Sequence, residues 1–191
     1  LQLRLHPSII ALRQKVAAAP VDHIFEVDLT YLTSRGKWYL KSWKGIDKKS
    51  GGVATNIGVH FYDMLHFIFG DIQHNEVHFK DQRTASGYLI YRQARVKWFL
   101  SIDANNLPDN AIQGEKLTFR SIKVDAEELE FSGGFTDLHT QSYQRVLDGA
   151  GFGLEQNRVA IETVEAIRDN AVVAAGERAH PLLSKVLERQ R

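Results

Sequence analysis

The spacing of apolar residues changes several times along the chain, and each change marks an element. Over residues 6–18, Ile9, Ile10, Leu12 and Val16 recur at roughly helical steps behind Pro7, and Pro20 ends the run. Residues 21–33 alternate instead, Phe25, Val27, Leu29 and Tyr31 opposing Ile24, Glu26, Asp28 and Thr30, which predicts a long strand. The helical period returns from Val53 to Phe69 through Ile57, Phe61, Leu65 and Ile68, with Gly70 placed as a C-cap. Short strands are predicted at 74–80, 87–92, 94–103, 115–124 and 127–131, with glycine and polar residues between them. Two helices, from about Thr136 to Leu147 and from about Asn157 to Ala175, close the chain.

The stretch from Ser34 to Gly52 is polar and aromatic and has no clean period. It is long for a connector, and long connectors in compact domains often carry function. Residues 1–5, LQLRL, alternate like a strand already under way, and residue 1 is Leu rather than Met. The expectation is a sequence that begins inside a longer protein.

Strands that cluster together instead of alternating with helices predict an α+β fold. The expected architecture is an open, mainly antiparallel sheet with helices packed on one face, spanning residues 1–191 as one domain. An exposed sheet face of this kind is expected to be apolar enough to need cover, which predicts a homo-oligomer assembled through the sheets.

Composition narrows the function. Lys plus Arg (24) against Asp plus Glu (23) gives 24 − 23 = +1, without the basic excess a nucleic-acid binder needs. The absence of Cys excludes disulfides and thiolate metal sites and suits a reducing compartment. No run of 18 apolar residues predicts a membrane span, and LQLRLHPSII lacks the pattern of a signal peptide, so a cytoplasmic protein is expected. The dinucleotide fingerprint G-x-G-x-x-G after a strand is missing; GAGFG at 149–153 follows a helix and reads as a loop.

The chemistry concentrates in SGGVATNIGVHFYDMLHFIFG, residues 50–70. On one helix, Asn56 and His60 project from one face, and Gly51, Gly52, Ala54 and Gly58 leave the approach to the helix start open. A histidine beside a primary amide can exchange a proton with a substrate hydroxyl while the amide orients it. His60, Asp63 and His66 drift around a helix at steps of three, and His74 and His78 fall on a strand, so no metal site is expected. In the preceding loop, Arg35 suits a carboxylate or phosphate, Trp38, Tyr39 and Trp43 suit sugar or base faces, and Lys44 is a point charge. Arg4 and His6 have no evident role.

The pattern G-G-x-x-x-[DN]-x-G-x-H-x-x-D, filled by Gly51, Gly52, Asn56, Gly58, His60 and Asp63, resembles the signature of the Gfo/Idh/MocA oxidoreductases. Members pair an N-terminal Rossmann domain that binds NAD or NADP with a C-terminal α+β domain whose sheet supports oligomerisation. The resemblance spans essentially the whole chain. Together with RGKWYLKSWKG at 35–45, it is most similar to a branch that oxidises the C3 hydroxyl of UDP-N-acetylglucosaminuronate with NAD in surface-polysaccharide biosynthesis.

The resemblance implies that His60 is the active-site histidine, with Asn56 where most members carry Asp. It implies Arg35, Trp38, Tyr39 and Ser42 at the nucleotide-sugar substrate and Trp43 and Lys44 near the cofactor. Asp63 is expected to support structure. The family's Glu-Lys-Pro motif, whose Lys assists catalysis and is the alternative to His60 as the base, has no counterpart here, so the chain is expected to be a substrate-binding half that is inactive without its own Rossmann domain. Another sugar or cyclitol as substrate, and a non-catalytic sheet-mediated assembly module, are the rival readings.

Overall fold

A computed structural model describes residues 1–114, 117–131 and 137–189. After a 3-10 turn at Gln2–Leu5 come helix α1 (Pro7–Ala18), strand β1 (Phe25–Thr33) and four helices: α2 (Lys37–Lys41), α3 (Asp47–Ser50), α4 (Gly52–Asn56) and α5 (Gly58–Phe69). Strands β2 (Ile72–Lys80), β3 (Thr84–Tyr91) and β4 (Ala94–Ser101) follow, then α6 (Asp109–Gln113), β5 (Thr118–Val124) and β6 (Glu127–Glu130). The chain ends with α7 (Leu138–Leu147), α8 (Leu154–Asp169) and α9 (Pro181–Arg189). The start of the helix expected from about Thr136, and residues 115 and 116 of the strand expected at 115–124, lie outside the described residues.

The strands form one sheet in the order β2-β3-β4-β1-β5-β6. Only β1 and β4 run parallel, from Phe25 opposite Ala94 to Leu32 opposite Ser101; the other pairings are antiparallel. Alternation sends Phe25, Val27, Leu29 and Tyr31 of β1, and Ala94, Val96, Trp98 and Leu100 of β4, into the main core. There they meet Ile9 and Leu12 of α1, Phe61, Met64 and Leu65 of α5, and Val164 and Ile167 of α8. Each fully buried side chain of this size contributes about 1.5–3 kcal/mol.

Four local features depart from the expectations. Residues 2–5 form a 3-10 turn rather than a strand: Leu3, Arg4 and Leu5 are all buried, so their alternation does not separate a wet side from a dry one. The expected loop at 34–52 contains α2, α3 and a 3-10 turn at Trp43–Gly45, each too short to show a period. The helix expected to continue to Ala175 stops at Asp169, because Lys80 Nζ takes the carbonyls of Ile167, Arg168 and Asn170 and Val172 bridges to Val77 of β2.

The fourth is α9, which covers part of the second sheet face, where Val186 and Leu182 pack on Leu32, Phe99 and Leu107. His180 anchors it. Its Nε2 lies 3.1 Å from Thr30 Oγ1, its Nδ1 accepts from the Leu182 N–H at 3.2 Å, and its ring stacks on Phe99.

The rest of that second face is charged rather than apolar. Asp28 sits between Lys97 of β4 and Lys123 of β5, its direct neighbours in register. An open cleft of about 910 Å³ lies on this face, lined in part by Asp28, Thr30, Lys123, His180 and Lys185.

Candidate active site

The glycine pair that opens the signature solves a backbone problem. Gly51 and Gly52 both take φ of 72°, a region that side chains with a Cβ rarely adopt. A Cβ on Gly51 would come within 2.3 Å of Thr55 Oγ1, and one on Gly52 within 2.6 Å of Asp47 Oδ1. Ser50 ties this turn to the preceding loop, donating to the Lys44 carbonyl at 2.8 Å and accepting from the Gly52 N–H at 3.1 Å.

The helix expected at 53–69 is broken at Ile57, where φ is −107°, so α4 ends on Asn56 and α5 begins at Gly58. Close packing accompanies the break, because a Cβ on Gly58 would lie 2.6 Å from the Tyr62 ring. Asn56 is therefore the last residue of α4 and His60 sits in the first turn of α5. Both remain partly exposed.

Asn56 Nδ2 donates to the Tyr39 hydroxyl at 2.8 Å. Tyr39 is 3% exposed, so it lies beneath Asn56 instead of on the loop surface. Ser42 is occupied inside the loop: its hydroxyl donates to the Tyr39 carbonyl at 2.8 Å and accepts from the Lys44 N–H at 3.3 Å. Trp38 and Trp43 are 53% and 55% exposed, and Lys44 Nζ lies 5.7 and 5.9 Å from their ring centroids. With Lys44 itself partly exposed, these three form a cation–aromatic cluster. Arg35 is also exposed, at the end of β1, where its N–H donates to Ile102.

His60 Nδ1 is enclosed and has no hydrogen-bond partner among the described residues, leaving Nε2 as the nitrogen open to a ligand. Burial pulls the imidazole pKa below its ordinary value. Asp63 opposes that shift, while His139 and Arg120 reinforce it. The side chain is therefore neutral at pH 7 and can accept a proton.

Asp63 is fully buried and bound to Arg4, with Arg4 Nε 2.9 Å from Asp63 Oδ2.

Sequence reasoning missed Arg120 and His139 as neighbours of His60. Arg120 offers a signal in hindsight, since it shares a strand face with Ile122 and Val124, which are buried. Its guanidinium lies 5.2 Å from the Tyr31 ring, and burial lowers its pKa. His139 offers no such signal.

Among the described residues, no group of three His, Cys, Asp or Glu side chains is placed to hold a metal ion. His74 and His78 both reach Glu76, at 3.0 and 3.2 Å, so that the carboxylate lies between them. No helix among the described residues is long and apolar enough to cross a membrane.

Two solved structures are similar to this chain at high identity. The WlbA (WbpB) dehydrogenase from Thermus thermophilus, in complex with NAD and α-ketoglutarate, is 48% identical with a TM-score of 0.90, covering 95% of this chain and 59% of that one. The same dehydrogenase with NAD and UDP-GlcNAcA is 46% identical with a TM-score of 0.90, covering 96% of this chain and 59% of that one. The WlbA dehydrogenase from Bordetella pertussis shares the fold, with a TM-score of 0.65 at 15% identity over 87% of this chain and 59% of that one. The chain thus spans about three-fifths of the length of these proteins. The model of the oxidoreductase family's C-terminal alpha/beta domain matches residues 22–180. With Gly51, Gly52, Asn56, Gly58, His60 and Asp63 placed as described, the chain belongs to the Gfo/Idh/MocA oxidoreductase family and carries its C-terminal domain.

Proposed function

We propose that this chain is the substrate-binding half of an NAD-dependent dehydrogenase that oxidises the C3 hydroxyl of UDP-N-acetylglucosaminuronate. The observation that carries the reading is His60, kept neutral by burial, four residues along the chain from an amide held by Tyr39, in a chain 46% identical to a dehydrogenase bound to NAD and UDP-GlcNAcA. The cofactor supplies the hydride acceptor, held mainly by a separate dinucleotide-binding domain. The residues here fit such a partner: the open Nε2 of His60, the exposed Trp38 and Trp43 and the partly exposed Lys44 lie on the same run of helices.

The roles follow from chemistry. His60 Nε2 receives the proton of the C3 hydroxyl, and Asn56 orients that hydroxyl without competing as a base. Arg35 and Trp38 meet the anionic and ring portions of the nucleotide sugar, and Trp43 and Lys44 border the cofactor. Tyr39 and Ser42 act from beneath, one fixing the Asn56 amide and the other shaping the loop. Most of the rate enhancement then comes from positioning.

The full protein serves surface-polysaccharide (lipopolysaccharide O-antigen) biosynthesis in the cytoplasm and assembles as a homo-oligomer through the sheet. Without the dinucleotide-binding domain the 191 residues are inactive. The test is turnover of the full-length protein with NAD and UDP-N-acetylglucosaminuronate, followed by formation of reduced nicotinamide. Activity on that substrate, absent with free sugars and cyclitols, is expected; the reverse preference would overturn the substrate assignment. Sedimentation as a monomer at micromolar concentration would overturn the assembly.

A further inference from the structure

One charged pair stands directly behind the candidate base and belongs to none of the roles above. Arg4 grips Asp63 with two bonds, Nε to Oδ2 at 2.9 Å and Nη2 to Oδ1 at 2.5 Å. Both side chains are almost sealed, at 5% and 0% exposure. The same Arg4 nitrogen Nη2 donates to the Gln156 carbonyl of α8 at 2.5 Å, and the guanidinium lies 5.5 and 5.0 Å from the rings of Phe67 and Phe152. One side chain thereby ties the 3-10 turn at Gln2–Leu5 to α5 and α8.

Asp63 is one turn along α5 from His60, a spacing that brings side chains within interaction range. We propose that Arg4 is a positioning residue for the reaction: its fork fixes the turn of α5 that presents His60 and neutralises the carboxylate that stands next to the imidazole. This rests on the assignment of His60 as proton acceptor.

Two physical considerations support it. A buried carboxylate without a partner would hold or share a proton with a neighbouring base, and His60 stands one turn away on the same helix. A lysine could supply the charge but not the planar two-point grip. Among the described residues, the groups that act on His60 are Asp63 on its own helix, His139 of α7 and Arg120 of β5, so Asp63 is the one acid among them.

The test uses the full-length enzyme and the pH profile of kcat/KM. Asp63→Asn removes the carboxylate that raises the His60 pKa and should lower the acid limb by about 0.5 pH unit or more. Adding Arg4→Met should leave the limb at that lowered position, because Asp63 is still missing, while kcat falls roughly tenfold because the fork is gone. Arg4→Lys should keep the wild-type limb with a smaller loss of kcat. If Asp63→Asn fails to fold, the double variant and Arg4→Lys still decide the matter.

A double variant with wild-type kcat and wild-type limb would overturn the proposal, as would a folded Asp63→Asn variant with an unmoved limb. Failure of the parent reading looks different: wild-type enzyme would then show no turnover of the nucleotide sugar at all.

Discussion

Asn56 donates its side-chain amide to the hydroxyl of Tyr39 across 2.8 Å, linking the end of α4 to a buried phenol from α2. The bond restrains the amide before any substrate arrives. Removing the hydroxyl by Tyr39→Phe should reduce kcat/KM about fivefold, the scale of one neutral hydrogen bond, without a matching fall in melting temperature. Steady-state kinetics beside a thermal melt checks this, and unchanged kinetics would show that Tyr39 only fills space.

Asn56→Asp converts the amide into an acceptor. The Tyr39 hydroxyl can reverse its role and donate, so folding should survive. The added anion four residues before His60 should shift the acid limb of kcat/KM to higher pH by about 0.5 unit or more. A limb at its original pH would place the new carboxylate too far from His60 to matter.

His60 has a pKa lowered by burial. A base acts in its deprotonated form, so kcat/KM should stay level from alkaline pH down through neutrality and fall only below the ordinary histidine range near 6.5. His60→Asn should remove that limb and cut turnover about a hundredfold or more. Equal turnover in the variant would remove His60 from the mechanism.

His180 is held neutral by burial, with its pKa pushed down from 6.5 to about 3. Its folded pKa lies below its unfolded one, so between these values the unfolded chain binds the extra proton and stability rises with pH. The contribution is complete above about pH 6.5 and disappears as pH falls toward 3, at up to about 1.4 kcal/mol per pH unit. Denaturant unfolding of wild type and His180→Gln at pH 7 and at pH 5 should show the wild type losing more stability than the variant. Parallel losses would mean that the ring is protonated in the folded state.

Gly51→Ala forces a Cβ into a backbone with φ of 72° and to 2.3 Å from Thr55 Oγ1. The strain should cost about 1–3 kcal/mol. The loss should appear in a thermal melt together with a raised KM, because the turn sets the path from the loop into α4. A melting temperature equal to wild type would mean that the turn relaxes freely.

Hydrophobic period determined the α1 helix, the long β1 strand and the run of strands from β2 to β6, and the turn residues between those strands marked the sheet as mainly antiparallel. Those features depend on which residues must be dry, and alternation or helical spacing records that directly. The residue types at Gly51, Gly52, Asn56, Gly58, His60 and Asp63 likewise determined the family, since positive φ and close packing demand glycine wherever the chain folds this way. Tertiary structure decided the rest. The break at Ile57, the burial of Tyr39 under Asn56, the seating of α9 around His180 and the grip of Arg4 on Asp63 join residues up to 150 positions apart. No local period encodes such contacts. They exist because buried polar groups must find partners, and the partner available in each case comes from a different element.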